Sequence, residues 1–129
     1  MKTLVTVTSG VLLATVDYFF GGFDFCFQAL LVMFILDFIT GICKAIYQKK
    51  LNSFLCTKGI IKKVGYLVIV ALAVLLDRMI GDGTTIRCMI IYSFIVNEGI
   101  SILENWGAMG LKLPKILKSS LEKLNQENQ

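Results

Sequence analysis

Asp37, Lys44, Asn97, Glu98 and Glu104 stand inside or against long apolar runs, where charged and amide side chains are costly. An acid at the centre of a bilayer costs at least ~2.5 kcal/mol on insertion scales, so such a group faces a partner helix or water rather than lipid. The chemistry open to this set is ion pairing, hydrogen bonding between helices, carriage of a proton, or the lining of a water-filled path. Catalysis fits poorly. The chain has no histidine, no nucleophile motif, no glycine-rich phosphate loop and no carboxylate cluster with metal spacing. Cys26, Cys43, Cys56 and Cys88 have no C-x-x-C spacing, and they read as small membrane-compatible residues rather than as a zinc site or a disulfide framework. No catalytic, metal or cofactor-binding residue is assigned, and an enzyme is not expected.

The elements that must position these side chains follow from composition. Of 129 residues, 56% are hydrophobic and only 17% charged, against an apolar share of roughly 45–50% in ordinary globular domains. The apolar residues fall in blocks of about the length, roughly 17–25 residues, that crosses a bilayer as a helix. The expected fold class is therefore all-α: a polytopic membrane protein of about four spans, with three also possible. The expected spans are residues 4–20, 25–48, 64–80 and 86–105. They form a membrane domain over residues 1–110, followed by a basic amphipathic tail over residues 111–129. The first span is diluted by Thr3, Thr6, Thr8, Ser9, Thr15 and Asp17, and it also reads as an amphipathic helix lying on the membrane. Its Lys2 before an apolar run is signal-like, but no small-x-small cleavage site precedes Gly21, and a retained span is expected. Thr6, Gly10 and Ala14 give it one small face for close helix approach. Tyr18, Phe19, Phe20 and Phe23 suit an aromatic belt, and Gly21-Gly22 a turn.

The charges are unevenly placed. Lys44, Lys49, Lys50, Lys58, Lys62 and Lys63 occur with no acid between Asp37 and Asp77, and the tail adds Lys112, Lys115, Lys118 and Lys123. No aromatic stacking platform accompanies them, so nucleic acid is not the expected partner. The positive-inside rule instead puts both termini and a connection over residues 49–63 in the cytoplasm. Lys49, Lys50, Lys58, Lys62, Lys63, Lys112, Lys115 and Lys118 are then expected to face lipid headgroups at the cytoplasmic surface. The outer turns hold Asp24 and Asp82, with Asp77 and Arg78 marking the far end of the third span. In the tail, Leu113, Ile116, Leu117, Leu121 and Leu124 oppose the lysines, and Pro114 suits the first turn of a short cytoplasmic helix. A solvated tail is the alternative there, and the final NQENQ reads as disordered.

The second and fourth spans run in the same direction, so depth can be matched at ~1.5 Å per residue. Asp37, Asn97 and Glu98 fall near mid-membrane, and Lys44 and Glu104 lie further inward. Asp37, Gly41, Lys44 and Gln48 share one face, with Thr40 and Gly41 permitting close backbone contact. Ser93, Asn97, Ser101, Glu104 and Asn105 form one polar stripe, with Glu98 alongside. A Lys44–Glu104 ion pair and an Asn97 hydrogen bond to Asp37 are expected, within or between subunits. Two roles stay open for this set: helix packing, or the lining of a lesion. A small proton-coupled transporter using Asp37 or Glu98, and a non-conducting membrane adaptor, are the other readings.

The order of several blocks is similar to a known family. DFITG (residues 37–41), LNS (51–53), KGIIKK (58–63), a span ending LLD (75–77), NEGISILEN (97–105) and LP (113–114) resemble phage holins of the toxin-secretion and lysis type. The resemblance covers about residues 30–124. It implies a small homo-oligomeric protein of the bacterial cytoplasmic membrane that accumulates and then permeabilises it, so that an endolysin or a toxin lacking a signal peptide gets out. The positions that carry it here are Asp37, Thr40, Gly41, Ser53, Gly59, Lys62, Lys63, Asp77, Asn97, Glu98, Ser101, Glu104 and Asn105.

Overall fold

A computed structural model describes residues 1–81 and 83–127, excluding the side chains of Leu121 and Asn125. Asp82, the Leu121 side chain and part of the NQENQ segment therefore lie outside the described residues. The chain is a series of helices: α1 (Lys2–Phe20), α2 (Phe25–Tyr47), α3 (Ser53–Ile80), α4 (Thr85–Ala108) and α5 (Lys115–Glu127). The first four are long and apolar enough to cross a membrane.

Helix α4 is the axis of the molecule. It packs along α2 and against α3, whereas α2 and α3 meet only lightly. Its inward stripe runs Arg87, Ile91, Phe94, Glu98 and Asn105, all buried, at the three- and four-residue spacing that keeps one helical face in register. The matching stripe of α2 is Phe27, Leu30 and Phe34, and that of α3 is Val70, Val74 and Asp77. Phe27, Leu30, Phe34, Val70, Ile91 and Phe94 form the apolar core. Tyr66 stacks on Phe94 with ring centroids 3.9 Å apart.

The ends of the helices follow from local chemistry. Asp24 caps α2, accepting from the Phe27 N–H at 3.1 Å. Asn52 caps α3, accepting from the Phe54 N–H at 2.8 Å. That cap starts α3 eleven residues before the expected 64, because the cap is Asn52 and the helix opens at Ser53. The expected connection over residues 49–63 is thus mostly helix, and the turn between α2 and α3 is short. Gly21, Gly22 and Gly81 take positive φ at the opposite turns. Pro114 lies just before α5, its carbonyl accepting from the Leu117 and Lys118 N–H groups.

Helix α1 buries no residue. Its hydroxyls bond back to its own turns, as Thr6 does to the Lys2 carbonyl and Thr15 to that of Val11. The Thr6–Gly10–Ala14 face meets no neighbour at Gly10, around which a Cβ would find open space. The helix joins the rest at its far end, where the Arg78 guanidinium lies over the Tyr18 ring and Phe20 stacks on Phe27.

Candidate functional site: two charged layers along the helix bundle

The apolar core is bounded by a charged layer on each side. The first is built on Arg87, 1% exposed. Its guanidinium donates to both carboxylate oxygens of Asp24, at 2.8 and 2.9 Å, to the Gly22 carbonyl at 3.1 Å, and to the Phe20 carbonyl. A planar fork of five donors suits this bidentate arrangement, and a lysine could not reproduce it. Asp77 accepts from the N–H groups of Ile86 and Arg87, at 2.9 and 2.8 Å, so α3 caps the first turn of α4. The expected role of Asp77 as an end marker holds, but it is buried. The Arg87 guanidinium holds the Asp24 carboxyl below the usual carboxylate range, against the opposing effect of burial. This clasp ties the α1–α2 turn to the α3–α4 turn. Gly21 is part of it: a Cβ there would sit 2.8 Å from the Arg87 side chain.

The second layer lies near the middle of α2 and α4. Lys63 donates to Asp37 at 2.6 Å and to Glu98 at 2.9 Å. Lys62 reaches the other Glu98 oxygen at 3.1 Å, as an ion pair without a directed hydrogen bond. The aromatic core floors this layer, with Lys63 5.4 Å from the Phe34 ring centroid and Lys62 5.2 Å from that of Tyr66. Asn105 extends the network, donating to Thr40 at 3.2 Å and to Asp37 at 3.4 Å, and accepting from Lys44 at 3.3 Å. Ser101 adjoins Asp37. Gly41 packs under Asn105, whose amide nitrogen would be 3.7 Å from a Cβ there.

The structure thus brings together Asp37, Thr40, Gly41, Lys44, Glu98, Ser101 and Asn105 from the expected set. The depth match of Asp37 with Glu98 is realised through a shared ammonium. Two pairings come out differently within the subunit. Lys44 bonds Asn105 rather than Glu104, and Asp37 takes Lys63 and Asn105 rather than Asn97. The reason is helical phase: Glu98, Ser101 and Asn105 face inward, while Asn97 and Glu104 are exposed on the other side and Ser93 sits between. Lys62 and Lys63, expected at the cytoplasmic surface, fall in α3 because that helix starts early. Lys63 turns inward with a side chain 13% exposed, whereas the Lys62 side chain stays 45% exposed while reaching Glu98. Lys49, Lys50, Lys58, Lys112, Lys115 and Lys118 are exposed.

Arg87 was missed by the sequence reading. The signal was there: an arginine in the first turn of an apolar span, with Asp24 and Asp77 both next to glycine-bearing turns on the same side. Among the described residues no group of three or more histidine, cysteine or acidic side chains could hold a metal. The cysteines are free, with Cys26 donating to the Tyr92 hydroxyl at 3.4 Å.

Comparison with known proteins gives this geometry a setting. The chain is 42% identical over 112 residues to an uncharacterized protein of Clostridium perfringens, covering 86% of this chain and 83% of that one. An uncharacterized protein of Listeria innocua is 38% identical over 106 residues, with coverage of 82% and 76%. A probable holin of Bacillus phage phi105 is 30% identical over 111 residues, covering 86% of this chain and 82% of that one. No solved structure matches. Residues 14–126, which take in both charged layers, match the bacteriophage holin family, and with its long apolar helices this multi-pass protein of the cytoplasmic membrane belongs to that family.

Proposed function

We propose that the chain acts as a holin: copies gather in the cytoplasmic membrane and open a lesion through which an endolysin, or a toxin without a signal peptide, leaves the cell. The observation that carries this reading is the ionic layer of Lys63, Asp37 and Glu98 held between the long apolar helices of a holin-family chain. Charges buried in one subunit by Lys63 are stable only while that subunit keeps its internal packing, since breaking a buried pair costs about 3–5 kcal/mol. Helices that exchange internal partners for those of a neighbour would switch between a quiet and an open assembly. Asn97 and Glu104, exposed on the outward face of α4, supply polar groups for contact with a second copy. Proton-coupled transport through Asp37 or Glu98 is less well supported, because lysines compete with a proton for the oxygens of both carboxylates.

In this reading all four long helices span, and both termini and the α2–α3 turn are cytoplasmic, as the excess of lysine at that end favours. Residues 1–110 form the membrane part and residues 111–129 the tail. The exposed Ile116, Leu117 and Leu124 of α5 lie against the inner leaflet, with Lys112, Lys115 and Lys118 at its headgroups. The test is inducible expression in a bacterium, following membrane potential and the release of cytoplasmic proteins of graded size. Sudden depolarisation after a delay, with release of a folded enzyme once the wall is opened, is the expected outcome. Depolarisation without protein release would reduce the lesion to a small pore. Neither effect, with the protein present in the membrane, would sink the reading.

A further inference from the structure

At the end where α2 and α3 are joined, an open cleft of about 760 Å³ is lined by residues of α2, the α2–α3 turn, α3 and α4. That volume is within the roughly 300–1,000 Å³ common for small-molecule sites. Its charged lining is mostly basic, Lys44, Lys50, Lys58, Lys62 and Lys63 against Asp37 as the acid, with Gln48, Asn52, Ser101 and Asn105 as neutral polar groups. The last two lysines are taken up by Asp37 and Glu98. Among the described residues no acid forms an ion pair with Lys44, Lys50 or Lys58, and Lys44 has only the neutral Asn105 amide as a hydrogen-bond partner. Cations without counter-ions around a cleft walled by protein concentrate the field on an anion there. Phe38, Ile42, Leu51 and Leu55 supply an apolar wall.

We propose that this cleft binds an anionic phospholipid, with the phosphate held by Lys44, Lys50 and Lys58 and an acyl chain laid along the apolar wall. Basic pockets between membrane helices take anionic headgroups for this reason. A free phosphate would use the lysines and leave the apolar wall wet; a zwitterionic lipid would use the wall and leave the lysines without a net countercharge. Only a lipid carrying net negative charge satisfies both. The site stands apart from lesion formation, since it requires only that the chain sit in a membrane.

The full chain, purified in detergent, is given equal amounts of phosphatidylglycerol and phosphatidylcholine with the same acyl chains, and retained lipid is counted by native mass spectrometry. Phosphatidylglycerol is expected to be retained about tenfold over phosphatidylcholine. Lys50→Gln with Lys58→Gln should bring the two lipids to near parity; both residues are exposed, so the internal network stays intact. Lys2→Gln with Lys123→Gln removes the same charge elsewhere and should keep the preference. Equal retention by the wild type, or loss of preference in both double variants alike, overturns the proposal. So does displacement of phosphatidylglycerol by excess inorganic phosphate alone, which would make the cleft a plain anion site.

Discussion

Lys63 carries more than any other side chain in the molecule, because one ammonium bridges two carboxylates, with Lys62 supplying a second positive charge at Glu98. Lys63→Met leaves Asp37 without an ion-pair partner and Glu98 with only Lys62. The expected cost is about 3–5 kcal/mol, the range for stranding a buried charge. Lys44→Met removes a single hydrogen bond to Asn105, worth about 1 kcal/mol. Denaturation of the two variants in mixed micelles should therefore separate them clearly, and equal losses would mean that Lys63 is not the pivot. Asp24 makes a prediction in acid. Its pKa is lowered in the folded protein by Arg87, so the stability it contributes is present above its ordinary value of 3.8 and is lost as pH falls through the lower folded value. Asp24→Asn should remove this acid-side loss from a stability–pH profile. A variant curve that still falls with the wild type below that pH would assign the loss to other carboxylates. The effect is modest, since the Asp24 side chain is 48% exposed and screened by solvent.

At the level of elements, the start of α3 shows both what the sequence makes legible and where it misleads. The spans at residues 25–48 and 86–105 are readable because apolar blocks end at glycine- or asparagine-bearing turns, and α2 and α4 fall there within a few residues. A hydropathy reading assigns Lys58, Lys62 and Lys63 to a loop because lysine is costly in lipid. It does not register that a lysine with two acids on neighbouring helices is no longer a free charge. The observed start is set by Asn52, which caps α3 ahead of that lysine run. The stripe on α4 was misread for a related reason. Asn97 and Glu98 are adjacent in sequence but about 100° apart around the helix, and composition does not say which of two polar faces meets α2. The cap can be tested directly. Asn52→Ala removes the acceptor for the Phe54 N–H and should cost about 1 kcal/mol, seen as faster hydrogen exchange confined to the amides of residues 54–57. Unchanged exchange there would mean that packing, not the cap, sets where α3 begins.

On the scale of the whole molecule, the arrangement divides polar groups into those a single subunit satisfies and those it does not. Arg87 with Asp24 and Asp77 closes one end, and Lys63 with Asp37 and Glu98 closes the middle; both hold the helices of one copy together. Asn97 and Glu104 are left on the outside of α4, about two turns apart. An amide facing lipid near mid-span gains a partner only by meeting another chain, and interhelical hydrogen bonds of this kind are worth about 0.6–2 kcal/mol each. In the proposed oligomer that is too little to force assembly at low copy number, but, repeated over many copies, it would favour assembly once the membrane is crowded. Asn97→Leu removes the group while keeping the span apolar, and it leaves the internal layer untouched because Asn97 faces away from it. The variant should therefore be as stable as the wild type in micelles, give fewer chemically cross-linked oligomers in membranes at equal expression, and delay depolarisation. Glu104→Gln, which keeps a hydrogen-bonding side chain, should have the smaller effect. Wild-type cross-linking and timing in Asn97→Leu would place the contact between copies on another surface, for which the largely exposed α1 is the next to be substituted.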